Sequence, residues 1–511
     1  MRWFAIFAMV FVGMALETCR ADEIAIRPAV VKIWASKNSL NLSSPWKRGE
    51  RVEESGSGIW LGNNRILTNT HVVSYATQVS VQPHESSERI AADVVVASHE
   101  MDLAILKLDD PGAFADVEPL KFADALPKLR TSVQVYGYPD GGNSMSVTEG
   151  VVSRIEYQTY AYGTKGLRIQ VDAAVNPGNS GGPAVADGEV IGITFQKRSL
   201  ANNIGYLIPS EEVQTFLNDV EDGRYDGKAM LRLTYQRLLN RGLRDSLNLD
   251  SEVTGIWVRE VFSEDENYPL QVGDVLTHVG PHAIDNSGVV RLVDDLQFEF
   301  QYFVSQLVDG GVAPLTVFRD GQAKQLKVPL GPPARQLFRP LKGDLPSYFV
   351  YGPLVFMEGT ADYFNALEAS LLSSDARVRV NAIAAMRVLA NRHSPLVLRR
   401  FDEPAFEGEQ PVMLTSSLPH RILLGYGNPA TNILKSVNGI PINSMRQLVE
   451  ALRRLNDTYV RFEFADDGAE TMVFAREAIE ATTEDILADN GIPRRASPDL
   501  LEVWDATGAE R

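Results

Sequence analysis

Cysteine is almost missing from this chain: Cys19 is the single one among 511 residues. Cleavage after Ala21 would leave no thiol at all, and with it no disulfide, cysteine nucleophile or cysteine zinc site. Long apolar runs are missing too. Residues 3–16 form a run of about 14, short of the roughly 20 that a membrane-spanning helix needs. Basic charge is in deficit. The 49 Lys and Arg against 66 Asp and Glu give a net charge of −17, which argues against nucleic acid or an anionic membrane as partner. No nucleotide-binding glycine loop, EF-hand loop or phosphate cradle has the required spacing. His278 and His282 stand four apart, but on a strand and a Gly-Pro turn with no third ligand nearby, so neither metal nor cofactor is expected.

What is present reads as an exported, multidomain β protein. Residues 1–21 have the layout of a secretory signal: Arg2, the apolar run, then Cys19-Arg20-Ala21 before Asp22. No transmembrane span would remain after its removal. The length suits about three domains. Residues 22–225 hold short strands between Gly, Asn, Asp and Pro turns, at 24–34, 58–61, 65–68, 92–97, 103–108, 132–136, 168–171 and 190–195. Many short strands without long helical periodicity predict a barrel or sandwich. A helix over 210–223 follows, with Ser210 placed to cap it and Glu211 and Glu212 favouring its positive end.

A second unit, 228–335, has strand patterns at 255–261, 275–279, 315–318 and 325–328, with Asp320-Gly321 as a hairpin turn. A third, 345–477, repeats a strand-turn at Asn438-Gly439. It continues into a helix over 444–455 with Met445, Leu448, Val449 and Leu452 on one face. Between its strands a helical insert, about 361–392, carries Val380, Ile383, Met386 and Leu389 as its apolar face. The remainder, 478–511, reads as an acidic tail with one short helix over 483–490, stopped by Gly491 and Pro493.

The chemistry concentrates at Gly178-Asn179-Ser180-Gly181-Gly182-Pro183. Small residues leave a hydroxyl uncovered and let backbone N–H groups approach a carbonyl oxygen, which suits a nucleophile beside an oxyanion hole. Upstream stand Thr70-His71-Val72-Val73 and Met101-Asp102-Leu103. His71 suits a general base, since imidazole alone accepts and returns a proton near neutral pH without perturbation. Asp102, at a strand start, suits the group that orients the imidazole; Asp93, the alternative, lies inside an apolar run. Ser180 is then the nucleophile, with the N–H groups of Gly178 and Ser180 as oxyanion donors. The order His, Asp, Ser is that of chymotrypsin-type enzymes.

These segments, with the glycine hairpin Gly56-Ser57-Gly58, resemble the HtrA/Deg serine proteases, in particular the plant-type Deg branch with two PDZ domains and a helical insertion in the second. The resemblance implies a mainly β fold: a chymotrypsin-like double β-barrel protease domain followed by two PDZ-like domains. It implies an ATP-independent serine endopeptidase that degrades, and in part chaperones, unfolded or damaged proteins, working as a trimer or a hexamer of stacked trimers. The periplasm, or otherwise secretion, is the implied destination. By the same resemblance Ala174 floors the specificity pocket and Thr194, Phe195 and Gln196 wall it. No acidic residue lies at the floor, which favours small or medium apolar side chains over Lys and Arg. Leu231-Arg232-Leu233-Thr234-Tyr235, matching the carboxylate loop of the first PDZ-like unit, lacks glycine, so internal segments are its expected ligands. A non-proteolytic PDZ scaffold and, more weakly, an esterase are the competing functions.

Overall fold

The computed structural model describes residues 25–142, 144–159, 164–197, 205–263, 265–292, 296–332 and 335–506. The expected signal segment lies outside them. Two closed six-stranded barrels open the chain. The first comprises β1 (Val30–Leu40), β2 (Arg48–Trp60), β3 (Arg65–Thr68), β4 (Ala76–Gln82), β5 (Ile90–Ser98) and β6 (Leu103–Leu108). The second comprises β7 (Ser132–Gly137), β8 (Ser146–Thr159), β9 (Lys165–Val171), β10 (Pro183–Ala186), β11 (Glu189–Lys197) and β12 (Gly205–Pro209). Around them the strands run β1-β2-β3-β6-β5-β4 and β10-β11-β12-β9-β8-β7.

The continuous apolar runs of β3 and β6 have a direct cause. Side chains alternate faces along a strand, and both faces here are buried. Ile66 and Leu106 enter the core of the first barrel. Their neighbours Leu67 and Ile105 join a separate cluster with Tyr136, Val185, Ile193 and Ile208 of the second barrel. The two barrels therefore share a dry interface. β1 starts later than its apolar pattern predicts, because Arg27–Ala29 forms a 3₁₀ turn and Pro28 lacks the N–H that a ladder needs.

The helix Ser210–Asp219 follows, extended by a 3₁₀ turn to Asp222. Ser210 does not cap it. It is already the first helical residue after Pro209, and its hydroxyl donates instead to the Ala123 carbonyl, 2.8 Å. Glu212, buried, accepts from Leu167 N–H (2.8 Å) and pairs with Lys228. Glu211 accepts from the Tyr302 hydroxyl (3.1 Å) and from Gln306. Burial first, then the neighbouring Glu212 charge, push the Glu211 carboxyl above its ordinary range.

Tyr302 and Gln306 belong to the next unit. There the strands Leu233–Arg237, Ile256–Val261, Val275–Val279, Val312–Arg319 and Gln322–Pro329 form one antiparallel sheet in that order. Asp320 and Gly321, both at positive φ (54° and 76°), make its hairpin turn as the dipeptide predicts. Leu231-Arg232-Leu233-Thr234-Tyr235 runs into the first strand of this sheet, at its edge. His278 and His282 sit on the arms of a tight hairpin, and the His282 ring packs on Phe303 at 4.5 Å. This unit and the barrels form one compact body, with a common apolar cluster that runs from Ile169 and Leu207 to Phe298 and Phe303.

The second body comprises the described residues 335–506 together with 38–51. Thr415 and Ser416 hydroxyls donate to the Leu42 and Ser43 carbonyls, the latter at 3.0 Å, and Trp46 packs against Tyr348. The protease domain expected as unbroken over 22–225 thus gives up a stretch of chain to the C-terminal body. The helical insert, Ala361–Leu371 and Ala376–Asn391, lies between two neighbouring strands, Leu354–Glu358 and Val412–Ser417. Its expected apolar face is not one face. Val380 and Ile383 are exposed, and Ala382 and Leu389 are buried. A strict three-residue spacing falls behind the helical repeat by about 60° per step, so Val380 and Leu389 point in opposite directions.

The helix Met445–Arg454 buries Met445, Leu448, Val449 and Leu452, and the Ser444 hydroxyl accepts from Gln447 N–H at its start. The stretch expected as a tail is also different. It holds two helices, Arg476–Asp489 and Pro498–Asp505, which bury Ile479, Ile486, Leu487, Leu500 and Val503. Its acidic residues occupy the outer faces, which hides the apolar stripe in the composition.

Candidate active site

The first half of the site is a rigid imidazole–carboxylate pair. His71 stands on a single helical turn, Thr70–Val73, immediately after β3. Asp102 precedes β6 in a left-handed conformation (φ 58°), which short polar side chains tolerate better than most. That conformation is gripped from several sides. The Asp102 carbonyl accepts from the Asn69 side-chain amide (2.8 Å) and from Thr70 N–H (3.2 Å). The Thr70 hydroxyl bonds the Leu103 carbonyl at 2.7 Å. One carboxylate oxygen then accepts from His71 N–H at 2.7 Å, and the other lies 2.6 Å from His71 Nδ1. Asp102 is buried and the imidazole half exposed, so the pair opens toward solvent through Nε2.

The second half is the loop between β9 and β10. Asn179 N–H donates to the Asn176 carbonyl, Gly181 N–H to Thr194 and Gly182 N–H to Asn179, at 3.0, 2.8 and 3.0 Å. Gly178 N–H and Ser180 N–H have no acceptor among the described residues. Two unpaired donors one residue apart, between donors that are all engaged, are what an oxyanion requires. Gly178 has φ 95°, and a Cβ there would lie 2.4 Å from the Tyr138 carbonyl, so only glycine fits. Ser180 Oγ contacts the Phe195 carbonyl at 3.4 Å. Among the described residues it makes no hydrogen bond to His71, a contact that commonly tightens only when substrate is bound.

The expected pocket residues divide. Thr194 is buried, and both its backbone groups bond the serine loop, through Gly181 N–H and the Gly182 carbonyl. The Phe195 ring is half-buried with the Arg168 guanidinium 4.1 Å from its centroid. The Gln196 backbone continues β11 past a bulge. Ala174 is exposed and its carbonyl accepts from the Thr148 hydroxyl, 3.0 Å.

Gly56-Ser57-Gly58 is not a hairpin but part of the long strand β2. Its glycines answer to packing: a Cβ on Gly56 would lie 2.6 Å from Val72, and one on Gly58 2.8 Å from Ile33 and Ile66. Nothing in the sequence marks Asn69 or Ser57 for a role. Their partners lie 33 and 121 residues away, and no local spacing reveals such pairs.

Comparison with known proteins places the chain among proteases. The trypsin-like peptidase domain family matches residues 56–193, which contain His71, Asp102 and Ser180, and the PDZ domain family matches 340–499. Protease Do-like 2, chloroplastic, of Arabidopsis thaliana is 34% identical over 494 residues, covering 96% of this chain and 78% of that protein. Protease Do-like 4, mitochondrial, of the same plant is 36% identical over 341 residues, covering 66% of each. Among solved structures, an HtrA-type protease, AlgW with a decapeptide, matches 61% of this chain and 97% of its own at 25% identity, with a TM-score of 0.46.

Proposed function

Because the chain belongs to the HtrA/Deg family of serine proteases, we propose that its peptide-bond hydrolysis runs through His71 as base, Asp102 as orienting group and Ser180 as nucleophile. The observation that carries this reading is the pair of unengaged N–H groups at Gly178 and Ser180 beside the Ser180 hydroxyl; the His71–Asp102 pair supports it. Asp102, bonded to Nδ1, holds the proton there and leaves Nε2 free to accept from Ser180. The Ser180 oxygen attacks the scissile carbonyl, the carbonyl oxygen takes up negative charge, and the two N–H groups receive it. Losing one such donor typically costs about 100- to 1000-fold in rate. His71 then returns the proton to the leaving amine, and water repeats the cycle on the acyl-enzyme.

The substrates of this reading are unfolded or damaged proteins, entering as extended segments without ATP. Support comes from the strand Leu233–Arg237, which lies at a sheet edge where a peptide can add by backbone pairing. Thr194 and Phe195, with Ala174, favour small or medium apolar side chains at the cleaved position; cleavage of a peptide library mainly after Lys or Arg would reverse that assignment. The enzyme assembles as trimers or stacked hexamers and chaperones what it does not cut. It is exported to the periplasm or secreted, a reading that Arg2 and the apolar run behind it support, although two relatives carry chloroplastic and mitochondrial in their names. No described helix is long and apolar enough to cross a membrane. The deciding experiment compares casein degradation by the wild type and by Ser180→Ala. Activity should vanish in the variant; equal degradation by both would eliminate the nucleophile.

A further inference from the structure

The oxyanion loop needs an anchor, and its own side chain does not supply one. Asn179 lies fully buried beneath the catalytic serine, yet neither its amide nitrogen nor its amide oxygen has a partner among the described residues. It carries no charge, so no buried ion pair can fix the loop at that point. Beyond the Thr194 backbone bonds to Gly181 and Gly182, the half of the loop that carries Gly178 is anchored from the other barrel, by Ser57. This serine is fully buried, and all its polar groups are engaged around the loop. Its hydroxyl accepts from Tyr138 N–H and donates to the Gly178 carbonyl, both at 2.8 Å. Its N–H donates to the Ser180 carbonyl at 2.8 Å, and its carbonyl accepts from the Thr68 hydroxyl, also at 2.8 Å.

The peptide planes on both sides of Gly178 are held as a result. The Pro177 carbonyl accepts from Asp140 N–H at 2.9 Å, which turns the Gly178 N–H away from Asp140. The Gly178 carbonyl is held by the Ser57 hydroxyl. A glycine at φ 95° has little preference of its own, so the Asp140 bond aims the Gly178 N–H and the Ser57 bond fixes the peptide that follows it. The same strand fixes the second anchor, since Ser55, on the same edge of β2 as Ser57, donates to the Asp140 carboxylate at 2.6 Å.

We propose that Ser57 is a positioning residue of the reaction: its hydroxyl holds the Gly178–Asn179 peptide and its N–H the Ser180 carbonyl, and together they fix the loop that carries both oxyanion donors. This rests on the oxyanion role given to Gly178 and Ser180. Ser57 touches no reacting atom. Its removal therefore lowers the rate of the chemical step and leaves ground-state binding of the peptide unchanged.

The test uses the full chain. Ser57→Ala should lower kcat about 10- to 100-fold on a chromogenic peptide, with KM within about twofold, because the loop loses its anchor but keeps its donors. A peptide boronate, whose tetrahedral oxygen occupies the hole, should lose affinity by the same factor. On a Ser180→Ala background, where nothing is cleaved, Ser57→Ala should leave the dissociation constant of the uncut peptide unaltered. Should Ser57→Ala fail to fold, Ser57→Cys keeps the shape with a weaker donor and should show an intermediate loss of kcat. Wild-type kcat in either folded variant would overturn the proposal, as would peptide affinity falling in parallel with kcat. The reading beneath it fails separately: Ser180→Ala would then remain active whatever position 57 does.

Discussion

Replacing Asp102 by Asn tests the site at the point where its geometry is tightest. Two donors converge on the carboxylate, His71 N–H at 2.7 Å and His71 Nδ1 at 2.6 Å. Asparagine has the same shape and accepts the left-handed backbone of this position, but it offers one oxygen and one NH₂. The backbone N–H cannot stop being a donor, so it claims the oxygen. The NH₂ then faces Nδ1, which must give up its proton, and the proton moves to Nε2. An imidazole protonated at Nε2 cannot accept from Ser180. In enzymes of this chemistry the tautomer error lowers kcat about 10⁴-fold, equivalent to about 5 kcal/mol of activation free energy. The assay is kcat on a chromogenic peptide at pH 7, alongside the thermal midpoint of the same sample. The expected outcome is a loss of about four orders of magnitude at unchanged stability. A folded variant within tenfold of the wild type would refute the assigned tautomer, and with it the role of Asp102.

Three further outcomes follow from the same structure. Glu212→Ala leaves a buried site without the carboxylate that pairs with half-buried Lys228 and accepts from Leu167 N–H. It should cost about 3 kcal/mol in denaturant unfolding of the N-terminal body; a change under 1 kcal/mol would contradict the pairing. Glu211 has a folded pKa above its unfolded value, so the native state binds the extra proton and ionisation opposes folding. Stability from this group is lost as pH rises above the ordinary carboxylate range through the raised value. In scans from pH 4 to 8, Glu211→Gln should gain on the wild type as pH rises, and parallel curves would exclude the effect. Deleting everything after Glu477 removes Ile479, Leu487, Leu500 and Val503 from the C-terminal core. At about 1.5–3 kcal/mol per buried side chain, that body should lose its calorimetric transition, and a retained transition would show that the helices are dispensable.

How much of this could be read in the sequence depends on how local each cause is. The strands Arg65–Thr68, Leu103–Leu108 and Val275–Val279 matched their patterns because burial on both faces keeps most of each run apolar. The helix Met445–Arg454 was legible from its cap and its stripe. The first half of β2, Arg48–Glu54, was not: its side chains are largely exposed, and a strand that buries neither face leaves no alternation to see. That His71 and Asp102 would meet was legible because the chemistry proposed for them fixes residue types. Ser57, Asn69 and Thr70 were not, since their work is to hold backbone groups that lie far away in the chain, and a serine between glycines looks the same whether it anchors a loop or turns one.

The stretch from Asn38 to Arg51 has a consequence for modularity. The chain crosses between its two bodies three times, after residues 37, 51 and 333, so no single cut separates them. A fragment beginning at 334 would lack Leu42 and Trp46, which pack into the C-terminal cores. During synthesis those early residues must wait until the far end of the polypeptide is made before finding their partners. The C-terminal body is therefore not a cassette that recombination could transplant intact, because part of it is encoded inside the catalytic half.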